Sequence, residues 1–148
     1  MSADEKNTFY QKLKDSVLLP DEILIENEDL PSDEDGVTEQ LCKLNSILLS
    51  NNSAKMLACC LMGRNLTEIH KGRKGKAFIS FVKQHLPEES HTRGQIYFLM
   101  KLHEFAKMFP KLMYVSIGIT TVKAKFKLVR EQILNDREFW IHRPVRPH

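Results

Sequence analysis

The sequence predicts an all-α fold, and three observations carry that expectation. From Val37 onward apolar residues recur three and four positions apart, as in Leu41, Leu44, Ile47 and Leu48. Nowhere do apolar and polar residues alternate for long enough to make a convincing strand. Helix punctuation (Ser50–Ser53, Gly72, Gly75, Pro87 and Pro110) falls between the periodic stretches. With 148 residues and a mass of 17.2 kDa, the chain has length for one ordinary domain. The expected architecture is a compact bundle of about five or six helices, containing a helix-turn-helix-like unit and preceded by an acidic N-terminal arm.

Residues 1–36 read as that arm. Phe9, Leu13 and Val17, four positions apart, predict one helix over 8–16. Leu19-Pro20-Asp21 and Leu30–Gly36 then read as linker and acidic spacer, with too little apolar surface to offset the entropy of ordering. The basic helical domain is expected over 37–135. Its first helix carries the stripe ending at Leu48. Ser50-Asn51-Asn52-Ser53 supplies a turn and an N-cap for a second helix from Ala54, with Met56, Leu57, Cys60 and Leu61 on its apolar side. Gly63 is expected to end or bend that helix, and Leu66 and Ile69 extend its pattern.

His70–Lys76 reads as a glycine-containing basic loop. Ala77–Leu86 predicts a third helix with Phe78, Phe81, Val82 and Leu86 pointing one way. Pro87-Glu88-Glu89 makes a tight turn, and Ser90 is the expected cap of a helix from His91 to about Phe109. That helix is apolar around most of its girth, which predicts a central position. Its polar stripe holds Arg93, Tyr97, Lys101 and Glu104. Pro110 ends it, Met113–Gly118 connects, and Thr120 or Thr121 caps the last helix. There Val122, Phe126, Val129 and Ile133 share a face beside Lys123, Lys127 and Arg130. Residues 136–148 are expected to be a short basic tail, whose tryptophan, Trp140, either closes the core or anchors a partner.

The net charge of +3 conceals a sharp asymmetry. Residues 1–36 carry eleven acids against three bases, a net of −8, while residues 37–148 carry nineteen bases against eight acids, a net of +11. Such a division suggests an acidic tail joined to a body that seeks polyanions; a tail that merely solubilises the chain is the plainer alternative. No apolar run approaches the roughly 20 residues of a bilayer-spanning helix. Three cysteines, two of them adjacent, make a poor disulfide framework, so a reduced intracellular protein is expected.

Of the chemistry-bearing patterns, the unit Gly75–Phe109 is the most informative. Two helices joined by a three- or four-residue turn, the second opening with polar residues, meet the requirement of a helix-turn-helix. The opening residues of the second helix, His91, Thr92, Arg93 and Gln95, would then face base edges, with Thr92, Arg93 and Gln95 as readers. Lys71, Arg73, Lys74 and Lys76 in the loop, Lys83 on the third helix, and Lys123, Lys127 and Arg130 on the last would hold phosphates. Residues 64–130 have fourteen bases against four acids, which predicts steeply salt-dependent binding.

Catalytic and metal chemistry find little support. Cys59 and Cys60 point about 100° apart on a helix, and neither a Cys-x-x-Cys nor a His-x-x-x-His cluster occurs. Gly72–Lys76 has the composition of a phosphate loop without the Walker spacing or a preceding strand. No catalytic residue, metal or cofactor is assigned, and the protein is not expected to be an enzyme.

The stretch Gly63–Ile69, Phe78–Pro87 and Ser90–Met100 resembles a phage and plasmid helix-turn-helix type, with loose motifs covering roughly residues 63–112. Gly94 stands where that type usually carries a small residue such as alanine, which is compatible with close helix packing. The small size, acidic arm, basic helical body and homeobox-like unit are also similar to the small accessory DNA-binding subunit of the ciliate DNA N6-adenine methyltransferase complex. That resemblance implies a non-catalytic nuclear protein binding double-stranded DNA beside the protein subunits of a methyltransferase complex; no catalytic Asp-Pro-Pro-Trp motif occurs here. The acidic arm would compete with DNA for the basic face or bind the other subunits. The alternative is a helical scaffold whose basic surface meets an acidic protein partner.

Overall fold

A computed structural model describes residues 1–19, 29–50, 55–87 and 91–144. The described residues form eight α-helices and one 3-10 turn: α1 (Ala3–Asp15), α2 (Glu34–Leu49), α3 (Lys55–Gly72), α4 (Gly75–His85), α5 (Arg93–Met108), the turn Pro110–Tyr114, α6 (Ile119–Ala124), α7 (Phe126–Leu134) and α8 (Arg137–Trp140). The all-α class is therefore shown. The helix number exceeds the five or six expected because the last long helix divides at Lys125 and a short helix follows at Arg137–Trp140.

Helix α3, not α5, is the centre of the bundle. It packs against α2 on one side and α5 on the other, and also meets α4, α6 and the 3-10 turn. Every residue from Met56 to Gly63 is buried. Cys59 and Cys60 are both enclosed although they point different ways, because the helix is surrounded. Burial pushes the Cys59 thiol up to about 12 and the Cys60 thiol well up, so both stay protonated. Gly63 does not end α3, which runs on to Gly72. A Cβ built there would lie 1.9 Å from the carbonyl oxygen of Leu99, so the missing side chain is what lets α5 approach.

The N-terminal segment is corrected from an arm to part of the core over its described residues. Ser2 caps α1 in a capping box with Glu5, and Phe9 and Leu13 enter the hydrophobic cluster at 7% and 0% exposure. Beyond α1, Val17 pairs with Val115 as an isolated antiparallel bridge, and the Leu18 N–H donates to the Tyr114 carbonyl at 2.7 Å. Two apolar residues four apart suffice once a partner surface exists for them. The acidic composition hid this. Pro20–Glu28 lies outside the described residues, as do the turn at Asn51–Ser53 and the expected cap Ser90.

At the C-terminal end, of the two readings of Trp140 the structure bears out the one in which it closes the core. Trp140 is fully buried, and its Nε1 donates to the Tyr10 hydroxyl at 3.0 Å, while Tyr10 donates to Asp136 Oδ2. Lys14 adds an ion pair to Asp136 at 3.6 Å, and Lys111 sits 3.9 Å above the Phe139 ring. Helices α1 and α8, from opposite chain ends, thus meet through one polar cluster. Burial, with the Asp136 hydrogen bond second, pushes the Tyr10 phenol up to about 12. An unfolded tyrosine ionises near 10. The unfolded chain therefore loses this proton first, and stability falls as pH rises from about 10 towards about 12. Tyr10→Phe is expected to remove that alkaline loss and the phenolate absorbance step at about 12, and to cost about 1 kcal/mol or more at neutral pH through the stranded Trp140 donor. Chemical denaturation at pH 7 and pH 11 with a 295 nm titration checks it.

Buried polar groups fix α2 and the start of α5. Asn65 Nδ2 donates to the Val37 carbonyl at 3.0 Å and to Gln40 Oε1 at 2.8 Å, joining α3 to α2. His91 Nε2 lies 2.7 Å from Asn45 Oδ1, so the residue before the α5 N-cap is anchored on α2.

Candidate functional site

The candidate site is the cationic surface spanning α4, the N-terminal half of α5, α6 and α7. Helix α5 touches α4 through Phe78 and Tyr97 (ring centroids 5.9 Å apart) and α7 through Phe98 and Phe126 at 5.3 Å. Its polar stripe of Arg93, Lys101 and Glu104 faces outward between those contacts. The sequence-predicted residues fall into three groups along this surface.

The first group surrounds the junction of α3 and α4. The expected loop His70–Lys76 contracts to Arg73 and Lys74, because α3 runs on to Gly72 and α4 opens at Gly75 with φ 61°. Lys71 is paired with Glu68 at 2.8 Å. Arg73 makes a two-pronged bond to Glu34, at 2.9 Å and 3.2 Å, and its guanidinium lies 4.0 Å over the Phe81 ring. That hydrogen-bonded guanidinium holds the Glu34 carboxyl below the usual carboxylate range. Arg73 therefore clamps α2 to the α3–α4 junction and is committed within the fold. Lys74, Lys76 and Lys83 are exposed and form no ion pair among the described residues.

The second group opens α5. Thr92, rather than Ser90, is its N-cap, with Oγ1 accepting from the Gln95 N–H at 3.2 Å. Gln95 Oε1 accepts from Lys123 Nζ at 3.0 Å, which ties α5 to α6. Arg93 is exposed, its guanidinium 5.7 Å from the Tyr97 ring. His91, at 4% exposure, is sealed inside and faces no ligand. Residues 86–92 separate α4 from α5, and 88–90 lie outside the described residues, so a helix-turn-helix unit is not shown. With Thr92 and Gln95 bonded to their own chain, base reading has only Arg93 to offer.

The third group lines α6 and α7. Gly118 rather than Thr120 or Thr121 precedes α6 as its cap, and Lys123, Lys127 and Arg130 are exposed. A groove between α5 and α7, about 510 Å³, is lined by Lys101, Phe126, Lys127, Arg130, Glu131 and Leu134. It continues past Arg130 into a recess of about 360 Å³ that adds Lys107 and Met108. In the other direction it continues past Lys127 into one of about 390 Å³ that adds Lys6 and Lys125. Lys101 lies 5.2 Å over the Phe126 ring, Arg130 5.6 Å over Phe105, and Lys125 4.8 Å over Phe9. Among the described residues none of these cations meets a carboxylate at ion-pair distance.

Sequence reasoning missed Lys6, Lys101, Lys107 and Lys125. Lys101 was visible on the polar stripe of its helix, but its convergence with α7 depends on packing between segments about 25 residues apart. Among the described residues no three His, Cys, Asp or Glu side chains group as metal ligands, and no helix is long and apolar enough to cross a membrane. Comparison with protein-family models, curated proteins and solved structures finds no match.

Proposed function

We propose that this protein binds double-stranded DNA through its α4–α7 face, by phosphate contacts that carry little sequence preference. One observation supports this above the rest: exposed lysines and arginines that meet no carboxylate among the described residues flank the α5 stripe on both sides, from Lys74, Lys76 and Lys83 to Lys123, Lys127 and Arg130. Unneutralised cations on one face attract a polyanion and release its counterions on binding. The tied-down state of Thr92 and Gln95 favours backbone contact over base reading. A non-catalytic place beside the subunits of a nuclear DNA adenine methyltransferase complex is supported by the sequence resemblance alone. Stoichiometric recovery of a methyltransferase chain with the tagged protein tests that role.

Fluorescence anisotropy with a labelled duplex at two salt concentrations tests the binding itself. The expected affinity lies in the range of about 10⁻⁶–10⁻⁴ M and weakens with salt. Lys74→Glu with Lys76→Glu is expected to weaken it further without altering the fold, since both side chains are exposed. No binding below about 100 micromolar at low salt rejects this reading in favour of a scaffold that meets an acidic protein.

A further inference from the structure

The groove around α7 is a larger cationic feature than the edge of α4, and most of its bases lie outside the sequence-predicted set. Its lining passes from Lys6 and Lys125, by Lys127, to Lys101, Arg130 and Lys107. Two carboxylates, Glu104 and Glu131, share it with those six bases. We infer that this groove is the principal phosphate seat, holding one sugar-phosphate strand of a DNA duplex along α7. The inference rests on the DNA-binding reading above and says where on the molecule the backbone lies.

Length supports a strand-sized ligand rather than a single anion. The nine residues of α7 rise about 1.5 Å each, giving about 13 Å. One DNA strand presents a phosphate about every 3.4 Å along the duplex axis and farther apart along its own oblique path, so α7 spans more than one phosphate and at most about four. The recesses at either end extend the track to Lys107 and to Lys6.

The surface chemistry supports backbone contact over both base stacking and a peptide. Phe105 and Phe126 are only 4% and 7% exposed, and cations already lie over their rings. Neither of these two groove rings, among the described residues, offers an open face for a base to stack on, although single-strand binders depend on such faces. Cations held over rings keep their full charge while losing rotamer freedom before the ligand arrives. A peptide would need apolar anchor points. The large exposed apolar side chains of the lining are Met108 at 58% and Met1 at 59%, which stand in the two end recesses rather than between α5 and α7.

The test compares paired substitutions in the full chain, using a labelled 20-base-pair duplex over a salt series. Lys101→Gln with Lys107→Gln is one groove pair; Lys127→Gln with Arg130→Gln is a second, in case either pair disturbs packing. Each is expected to weaken binding about tenfold or more at low salt and to reduce the slope of log K against log salt by about 2. Circular dichroism is expected to be unchanged. Duplexes of unrelated sequence are expected to bind within about twofold of one another. Wild-type affinity in both groove pairs, with binding lost in the Lys74→Glu and Lys76→Glu protein, overturns the groove while leaving DNA binding intact. Groove pairs that lose polyglutamate but keep the duplex also overturn it, in favour of an acidic protein. Absence of duplex binding by the wild-type chain rejects the DNA reading itself.

Discussion

Gly63→Ala is expected to lower the melting temperature by about 4–8 °C, although the same change in an open helix would raise stability. Alanine is favoured over glycine in a helix interior by about 1 kcal/mol. Against that gain, the new Cβ would stand 1.9 Å from the Leu99 carbonyl oxygen, 2.7 Å from its carbon and 2.9 Å from His103 Cβ. Two of those three atoms are backbone of α5, so no rotamer change relieves the contact and α3 must separate from α5. Overpacking of this kind costs typically about 1–3 kcal/mol and occasionally more, and the rigid geometry puts this site at the upper end. A net loss of about 2 kcal/mol corresponds to the stated shift for a domain near 150 residues. Gly94→Ala supplies the control: its nearest neighbour would be Thr92 Oγ1 at 3.9 Å, an ordinary contact, so its melting temperature should hold or rise. A Gly63→Ala protein as stable as the wild type would mean that α3 and α5 do not meet this closely. Because Lys101 lies between Leu99 and His103 on the displaced helix, the same variant is also expected to bind duplex DNA more weakly.

Gly63 shows where local pattern stops informing. A glycine in a helical stretch reads equally well as a breaker or as a site of close approach, and only the carbonyl 36 residues later decides between them. Segments with strong three-and-four spacing, such as 37–49, 75–85 and 93–108, were legible because their apolar stripes needed no knowledge of their partners. Which helix is central was not. The seven apolar residues Met56–Met62 announced complete enclosure, yet α5 carried more aromatic bulk and drew the expectation. Among the site residues, sequence placed the bases and could not place their partners. Lys71 and Arg73 looked free until Glu68 and Glu34 were seen beside them. Lys127 and Arg130 share α7 and its groove, whereas Lys123 falls on the separate helix α6, and the bases that join the groove come from α1, α5 and Lys125 between α6 and α7.

Trp140→Ala is expected to destabilise the fold by about 3–5 kcal/mol, the usual cost of deleting a fully buried large aromatic. That is a substantial fraction of the roughly 5–15 kcal/mol that holds an ordinary domain together. Three losses combine here. The cavity itself is large, the Phe139 ring loses an edge-on neighbour at 5.0 Å, and the Tyr10 hydroxyl loses its donor. The last of these reaches α1, since Tyr10 joins the first helix to Asp136. Trp140→Phe separates the contributions: it refills part of the volume but restores no donor, so it should recover part of the stability and leave the Tyr10 bond unmade. Thermal melts followed by circular dichroism read both variants, and wild-type tryptophan fluorescence reports the same site directly because Trp140 is the only tryptophan. If residues 136–148 were a solvated tail, the alanine variant would fall within about 0.5 kcal/mol of wild type, as surface substitutions do. A chain ending at Asn135 extends the test. Without Trp140 it leaves the α1 side of the core uncovered and is expected to unfold at a lower temperature than the alanine variant, because it also lacks Asp136, the partner of both Tyr10 and Lys14.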